Sequence, residues 1–330
     1  MNPLEYKNKA QKLLWVNTIT DFTGLMTGAN LRKILDLIQN PPYKSFKIPK
    51  RKGGIREIFA PEKSLKEVQR DLNVYLQAYY QQIKPDCVYG FTLKPTENEP
   101  FCNIVKNAEP HIRKRFVLNI DIKDFFPSIP AKSVLELFRS HLFNFNEQTA
   151  IVCALLLTYK GRLPAGAPTS PVISNFICLS MDSELLQYSQ NNQLTYTRYA
   201  DDLTFSADYP IRREQITAII AIIGKSGFSI NKKKFRIVSS YTQQKVTGII
   251  VNQKINIDRR QIKKVRAMLH DCQTNGVATA AAKHFGMAQA DERLQNKFLN
   301  HLNGHIRFIG QVRGKNDPIY RKFLAEKNMA

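Results

Sequence analysis

Three aspartates carry the strongest chemical signal in this chain. Asp121 closes the apolar run Phe116-Val117-Leu118-Asn119-Ile120, and Asp201-Asp202 follow Tyr196-Thr197-Arg198-Tyr199-Ala200. A single aspartate at a strand end is ordinarily a cap or turn residue. Two acid-terminated apolar runs are another matter, because carboxylates carried out of buried strands are costly without a cation. Mg²⁺ takes hard oxygen ligands and keeps several waters, so a few convergent carboxylates suffice to hold it. The chemistry such a set performs is phosphoryl transfer, with two ions about 3.5–4 Å apart serving the attacking and leaving oxygens. Little covalent work then falls to the protein, and positioning with charge stabilisation does most of it.

The elements that must position these acids are legible in the hydrophobic period. Residues 1–40 read as helical, with Leu31, Ile34, Leu35 and Ile38 at helical spacing and Pro41-Pro42 as the stop. Residues 45–61 predict a hairpin with Gly53-Gly54 at its tip. A helix over 64–82 follows, with Ser64 and Glu67 as a capping box. Residues 116–121 form a short strand, and helices cover 134–141 and 149–159. Residues 194–200 and 203–206 predict a hairpin with the two aspartates at its turn. A helix over 212–225 precedes a strand at 235–238 and a further hairpin over 246–257. From Asp258 onward the pattern is helical and basic.

Charge points to the partner. Lysine and arginine number 49 against 27 acids, a net charge of +22. That excess calls for a polyanion, and nucleic acid is the usual one, bound through phosphate neutralisation. The basic residues run through the chain, so a groove of the folded body is expected to carry them. At 330 residues the chain holds one large or two to three small domains. No apolar run is long enough for a membrane span, and the N-terminal residues lack a secretory pattern, so a cytoplasmic protein is expected. The five scattered cysteines form no C-x-x-C pair and read as reduced thiols, with no zinc site.

Several motifs resemble those of reverse transcriptases, in order. Tyr199-Ala200-Asp201-Asp202 looks like their Y-x-D-D box, and Asp121-Ile122-Lys123-Asp124-Phe125-Phe126 like their first metal-binding motif. Residues 163–171 with Asn175 resemble the nucleotide-pocket loop and helix, and residues 227–234 the later lysine motif. Asn107-Ala108-Glu109-Pro110-His111 and Val246-Thr247-Gly248 are similar to the N-A-x-x-H and V-T-G elements of the retron type. The resemblance spans about residues 50–250. It implies an α+β right-hand polymerase: fingers, an antiparallel-sheet palm of ferredoxin-like type and a helical thumb. The expected segments are 1–115 for N-terminal helices and fingers, 116–257 for the palm (interleaved with fingers around 130–180), and 258–330 for the thumb.

The resemblance also implies roles. Asp121, Asp201 and Asp202 hold two Mg²⁺ ions, or Mn²⁺ in their place, with the backbone carbonyl of Ile122 assisting. Phe126 lies under the sugar of the incoming dNTP and excludes a 2′-hydroxyl. Arg56 and a lysine among Lys50 and Lys52 reach the triphosphate, by bidentate fork and point charge respectively. Lys234, in a run with Lys232 and Lys233, donates a proton to departing pyrophosphate. Gly166 and Ala165 line the pocket, and Ala165 stands where relatives usually carry glutamine, which removes an amide contact. Asn107 and His111 are RNA-contacting or scaffold residues. Val246, Thr247 and Gly248 hold the primer strand, with Gly248 permitting close backbone approach.

Beyond the resemblance, Arg259, Arg260, Lys263, Lys264 and Arg266 cluster on a stretch whose apolar face is Ile262, Val265 and Leu269. A helix basic on one side suits an RNA stem, read by shape and phosphates. The resemblance to the retron type implies copying of part of a structured non-coding RNA into short RNA-linked DNA. It also implies antiphage defence with a separate effector protein as the setting, and no membrane is expected to be involved. Alternatives are an intron-encoded or diversity-generating reverse transcriptase, and a non-catalytic RNA-binding scaffold on the same fold.

Overall fold

A computed structural model describes residues 3–50, 53–93 and 102–328. Three helices open the chain: α1 (Pro3–Leu14), α2 (Ile19–Gly24) and α3 (Leu31–Gln39). Asn30 caps α3 by accepting from the Lys33 amide. The face α3 buries is Ile34 and Leu37, while Leu31 and Leu35 stay exposed, so the apolar stripe is rotated from the expected one. Next comes the antiparallel hairpin β1 (Tyr43–Pro49) and β2 (Ile55–Pro61), paired from Tyr43↔Pro61 to Pro49↔Ile55.

Helix α4 (Lys63–Ile83) starts directly after β2. Its N-cap is Glu62, which makes no side-chain cap bond, so the expected box at Ser64 and Glu67 does not open the helix. The reason is local: the Glu62 amide donates to Pro42 O at 2.8 Å, fixing where the chain leaves the hairpin. That leaves Ser64 inside the first turn.

After α5 (Ile104–Ala108) come β3 (Phe116–Asp121), α6 (Ala131–Arg139), α7 (Glu147–Leu157), α8 (Ser170–Ile177) and α9 (Leu179–Asn191). Then follow β4 (Thr195–Tyr199), β5 (Asp202–Ala207), α10 (Arg213–Lys225) and β6 (Arg236–Ser239). The sheet order is β4-β5-β3-β6, with β4 and β5 antiparallel. With helices between β3 and β4 and between β5 and β6, this is the ferredoxin-like β-α-β-β-α-β arrangement. It places β3 and β5, which end and begin in the aspartates, side by side in the middle of the sheet.

The chain ends with the two-residue strands β7 (Lys245–Val246) and β8 (Ile249–Ile250), then α11 (Arg259–Phe285), α12 (Glu292–Arg313) and α13 (Pro318–Asn328). Helix α11 breaks its regular backbone at Gly276, with φ 77°, and stops at Gly286, whose φ of 66° is left-handed.

The chain folds as two units. One comprises residues 1–103 and 118–237, the other residues 104–117 and 238–330. This grouping differs from the three expected segments: residues 104–117 and 238–257 belong with the C-terminal helices. The physical reason is the core of the second unit. Val105, Ala108, Val117, Val246, Ile249 and Val251 are buried in one cluster with Ile262, Val265, Leu269, Phe298, Leu302 and Phe323. Among the described residues no helix is long and apolar enough to cross a membrane.

Candidate active site

The three aspartates meet within the first unit because two strands end together. Asp121 is the last residue of β3. Tyr199 pairs with Asp202 across β4 and β5, leaving Ala200 and Asp201 as a two-residue turn. Ala200 adopts a left-handed φ of 58°, uncommon for a residue with a Cβ. The Ile122 amide donates to Asp201 O at 2.9 Å, which ties the turn to the end of β3.

The carboxylates perturb one another. Burial raises the pKa of Asp201, and Asp121 adds to the rise, while Lys234 and Arg56 oppose it. Asp202 is raised to about 6 by burial, then by repulsion from Asp201 and Asp121. Its side chain still borders solvent, as access to a substrate requires. Asp121 is nearly buried, at 5% exposure. Its carboxylate accepts from Lys234 Nζ and, at 3.2 Å, from Asn231 Nδ2. The Asn231 amide donates to Asp121 O at 2.7 Å, and Lys123 N donates to Ser229 O at 2.8 Å. The lysine motif is thus zipped to β3, and of its three lysines it is Lys234 that reaches an aspartate. Burial pulls the Lys234 pKa down, but the bond and charge of Asp121, with the other two acids, leave it raised.

The donor set suits divalent hard cations: three carboxylates, two of them held above their ordinary pKa by burial and by the others' charge. Among the described residues no three acidic, histidine or cysteine side chains converge closely enough to hold an ion. An ammonium, that of Lys234, sits on Asp121 instead. Its charge offsets part of that of the three acids.

Around this cluster the first unit collects other expected pocket residues. Phe59 N donates to Ala165 O at 2.9 Å, pinning the loop over 163–168 to β2. At Gly166, φ is 132° and a Cβ would lie 2.7 Å from Phe59 O, so a side chain there is excluded twice. Phe126 is half-buried, its ring centroid 5.8 Å from Phe91 and 5.4 Å from Phe125. Arg56 is exposed on β2, with its field felt at Asp201. Lys52 lies outside the described residues.

Asn107, His111 and Val246-Thr247-Gly248 come together in the second unit. Both Asn107 and His111 are fully buried, so packing favours the scaffold reading over RNA contact. Burial presses the His111 pKa down to about 3, which keeps the ring neutral. Asn107 Nδ2 donates to Thr247 Oγ1 at 3.5 Å, and Thr247 Oγ1 donates to Ile104 O at 3.2 Å. Thr247 and Gly248 form the tight turn between β7 and β8 with φ of 47° and 85°. No other protein atom lies within 4 Å of a Cβ placed on Gly248, so within the fold this glycine serves the turn's left-handed backbone. Arg259, Arg260, Lys263, Lys264 and Arg266 are all exposed on α11, and Ile262, Val265 and Leu269 are buried beneath them.

Sequence reasoning missed a buried polar network behind the aspartate turn. Arg198 and Asp182 are both fully buried and form an ion pair of 2.6 Å. The signal available was an arginine inside the short strand that leads into the two aspartates.

Comparison with known proteins bears on the same segments. A family model described as "Reverse transcriptase (RNA-dependent DNA polymerase)" matches residues 48–251. The chain is 34% identical to the retron Mx65 reverse transcriptase of Myxococcus xanthus over 69% of its own length and 55% of that protein's. It is 41% identical to the retron Ec86 reverse transcriptase of Escherichia coli, covering 51% of this chain and 52% of that one. It thus spans about half the length of these two relatives. With the Escherichia coli retron Ec73 reverse transcriptase it shares 30% identity over 77% of this chain and 82% of the relative. Among solved structures, Candida albicans telomerase superposes with a TM-score of 0.49 at 10% identity, covering 88% of this chain and 63% of that one.

Proposed function

The chain belongs to the reverse transcriptase family, among its retron-type members, and from that premise we propose that it copies part of a structured RNA into DNA. The observation that carries this reading is the meeting of Asp121, Asp201 and Asp202 at the ends of β3, β4 and β5 inside the matched region. Asp121, Asp201 and Asp202 would hold two Mg²⁺ ions. When bound, these supply Lewis-acid stabilisation of the attacking and leaving oxygens.

The chain's own residues do the rest. Arg56 and the glycine-tipped hairpin of β1 and β2 bind the triphosphate of a dNTP. Phe126, braced by Phe91 and Phe125, fills the space a ribose 2′-hydroxyl would need. Lys234 leaves Asp121 as the substrate binds and gives a proton to departing pyrophosphate. In the second unit the basic face of α11 binds RNA phosphates, while Asn107 holds the turn at Thr247 and Gly248. In this reading the first unit carries fingers and palm and the second the thumb. The product is short DNA linked to its RNA, made in the cytoplasm, and a defence system with a separate effector protein is its setting.

Asp201→Asn with Asp202→Asn tests the reading. In Mg²⁺ and dNTPs, primer extension on an RNA template should fall at least about a thousandfold, the scale on which electrostatic groups contribute. Affinity for the RNA should stay within about twofold, since the phosphate contacts are elsewhere. Continued synthesis by the double variant would remove the metal assignment. Wild-type protein that binds the RNA but extends no primer would favour a scaffold. Expression with the flanking DNA, followed by debranching of the co-purified nucleic acid, tests the RNA-linked product.

A further inference from the structure

A buried ion pair is a poor way to stabilise a fold, because desolvation offsets most of the attraction. The pair behind the aspartate turn has a more specific arrangement. Asp182, on α9, accepts from Arg198 Nε at 2.8 Å, from Nη2 at 2.6 Å and from the Tyr196 hydroxyl at 2.8 Å. That grip aims the remaining arm of the guanidinium. Nη1 donates to Ala200 O and to Asn175 Oδ1, both at 3.1 Å. Ala200 is the left-handed residue immediately before Asp201.

The second branch leads elsewhere. Asn175, fully buried on α8, donates through Nδ2 to Gly90 O at 3.0 Å and to Phe91 O at 3.4 Å. The segment holding those carbonyls is already laced to β4, with Arg198 N donating to Cys87 O at 2.8 Å and Tyr89 N to Arg198 O at 3.0 Å. A Cβ on Gly90 would lie 2.5 Å from Ala200 N, so this segment presses directly on the turn. Phe91, itself left-handed at φ 59°, puts its ring against Phe126. One guanidinium therefore touches, through single hydrogen bonds, the carbonyl that orients Asp201 and the amide that anchors the backing of Phe126.

We propose that Arg198, aimed by Asp182 and linked through Asn175, is a positioning residue that fixes the metal-binding turn and the sugar-sensing ring relative to each other. Metal affinity and sugar selectivity are then set by one network, and they change together when its centre is altered. The inference rests on the polymerase reading of the site. Lysine cannot replace Arg198 in this role, because a single ammonium cannot grip Asp182 in fork geometry and also reach both other acceptors.

The experiment compares wild-type protein with Arg198→Lys and Asn175→Ala. Cooperative thermal unfolding establishes that each variant is folded. Mn²⁺ binding to the protein alone is read by electron paramagnetic resonance, and the ratio of ribonucleotide to deoxyribonucleotide incorporation by primer extension. Arg198→Lys should weaken Mn²⁺ binding about tenfold, the effect typical when a group supporting metal ligands is removed, and raise ribonucleotide use. Asn175→Ala leaves the ion pair and the Ala200 bond in place. It should raise ribonucleotide use while Mn²⁺ binding stays near wild type. A folded Arg198→Lys protein with wild-type Mn²⁺ binding and wild-type sugar ratio overturns the proposal. Should Arg198→Lys fail to fold, Asn175→Ala decides, and an unchanged sugar ratio there overturns it. If the wild-type protein makes no DNA, the polymerase reading fails instead, a result distinct from any variant difference.

Discussion

At Asp121 the choice of partner shows how the site balances its charges. Three carboxylates confined to neighbouring strand ends repel, and the fold answers with Lys234 on Asp121 and with protons held more tightly on the other two. Asp202 is raised from 3.8 to about 6. The folded protein thus binds that proton more tightly than the unfolded chain does. The charged form costs stability above about pH 6, and the cost fades as pH falls from there towards 4. A divalent ion competes with the same proton, so Mn²⁺ affinity should climb as pH rises through about 6. A flat Mn²⁺ titration series across that range would contradict it. Asp202→Asn removes the repulsion without changing shape. It should raise the melting temperature of metal-free protein at neutral pH by a few degrees, on the scale of about 1 kcal/mol, while abolishing stabilisation by added Mn²⁺. Phe126 makes an independent test. Phe126→Ala opens the space beside the sugar and should let ribonucleotides into primer extension at least tenfold more readily, about the effect of 1.4 kcal/mol. Unchanged selectivity would mean that the ring only packs on Phe91 and Phe125.

Two glycines in tight loops separate two reasons for having no side chain. Within the folded chain Gly248 needs only its left-handed φ, since a Cβ there meets no protein atom. Gly248→Ala should therefore cost about 1–2 kcal/mol of stability and little else. Gly166 carries both a positive φ and a backbone oxygen where the Cβ would go. Gly166→Ala should push the pocket loop off β2, and the rise in KM for dNTP should exceed any fall in melting temperature. Equal behaviour of the two variants would refute the distinction. The elements themselves were largely legible: runs leading into acids gave β3 and β4, residues 203–206 after the aspartates gave β5, and the Gly53-Gly54 tip gave the first hairpin. What stayed hidden depended on partners distant in sequence. Arg198 sits in a strand pattern with no partner in sight until Asp182, on the preceding helix, is found buried beside it. Asn107 and His111 read equally as RNA-contacting or scaffold residues, and only their full burial favours the second. The capping box at Ser64 was a sound local pattern overridden by the hairpin bond of Glu62.

For the whole molecule the net charge of +22 is the dominant physical fact, and the second unit shows one place where it is concentrated. Helix α11 buries Ile262, Val265 and Leu269 in its core and leaves Arg259, Arg260, Lys263, Lys264 and Arg266 in solvent. None of these five cations is needed to hold the helix down, because surface substitutions away from caps and cores usually shift stability by less than about 0.5 kcal/mol. Changing all five to glutamine should therefore leave the melting temperature almost unmoved. RNA affinity should fall, and it should fall in a particular way. Every RNA phosphate that the variant no longer neutralises lowers the dependence of log affinity on log salt by about 0.7–0.9. A variant that leaves several phosphates without a cation should bind RNA with a clearly shallower salt slope and should converge with wild type at high salt. Weaker binding with an unchanged slope would mean that these residues act through something other than phosphates, such as bases or sugars. An unchanged affinity would place the RNA on other basic surfaces and leave α11 as a solvated face. Only the first outcome, a shallower slope at constant stability, supports the assignment of this helix as the RNA-binding face.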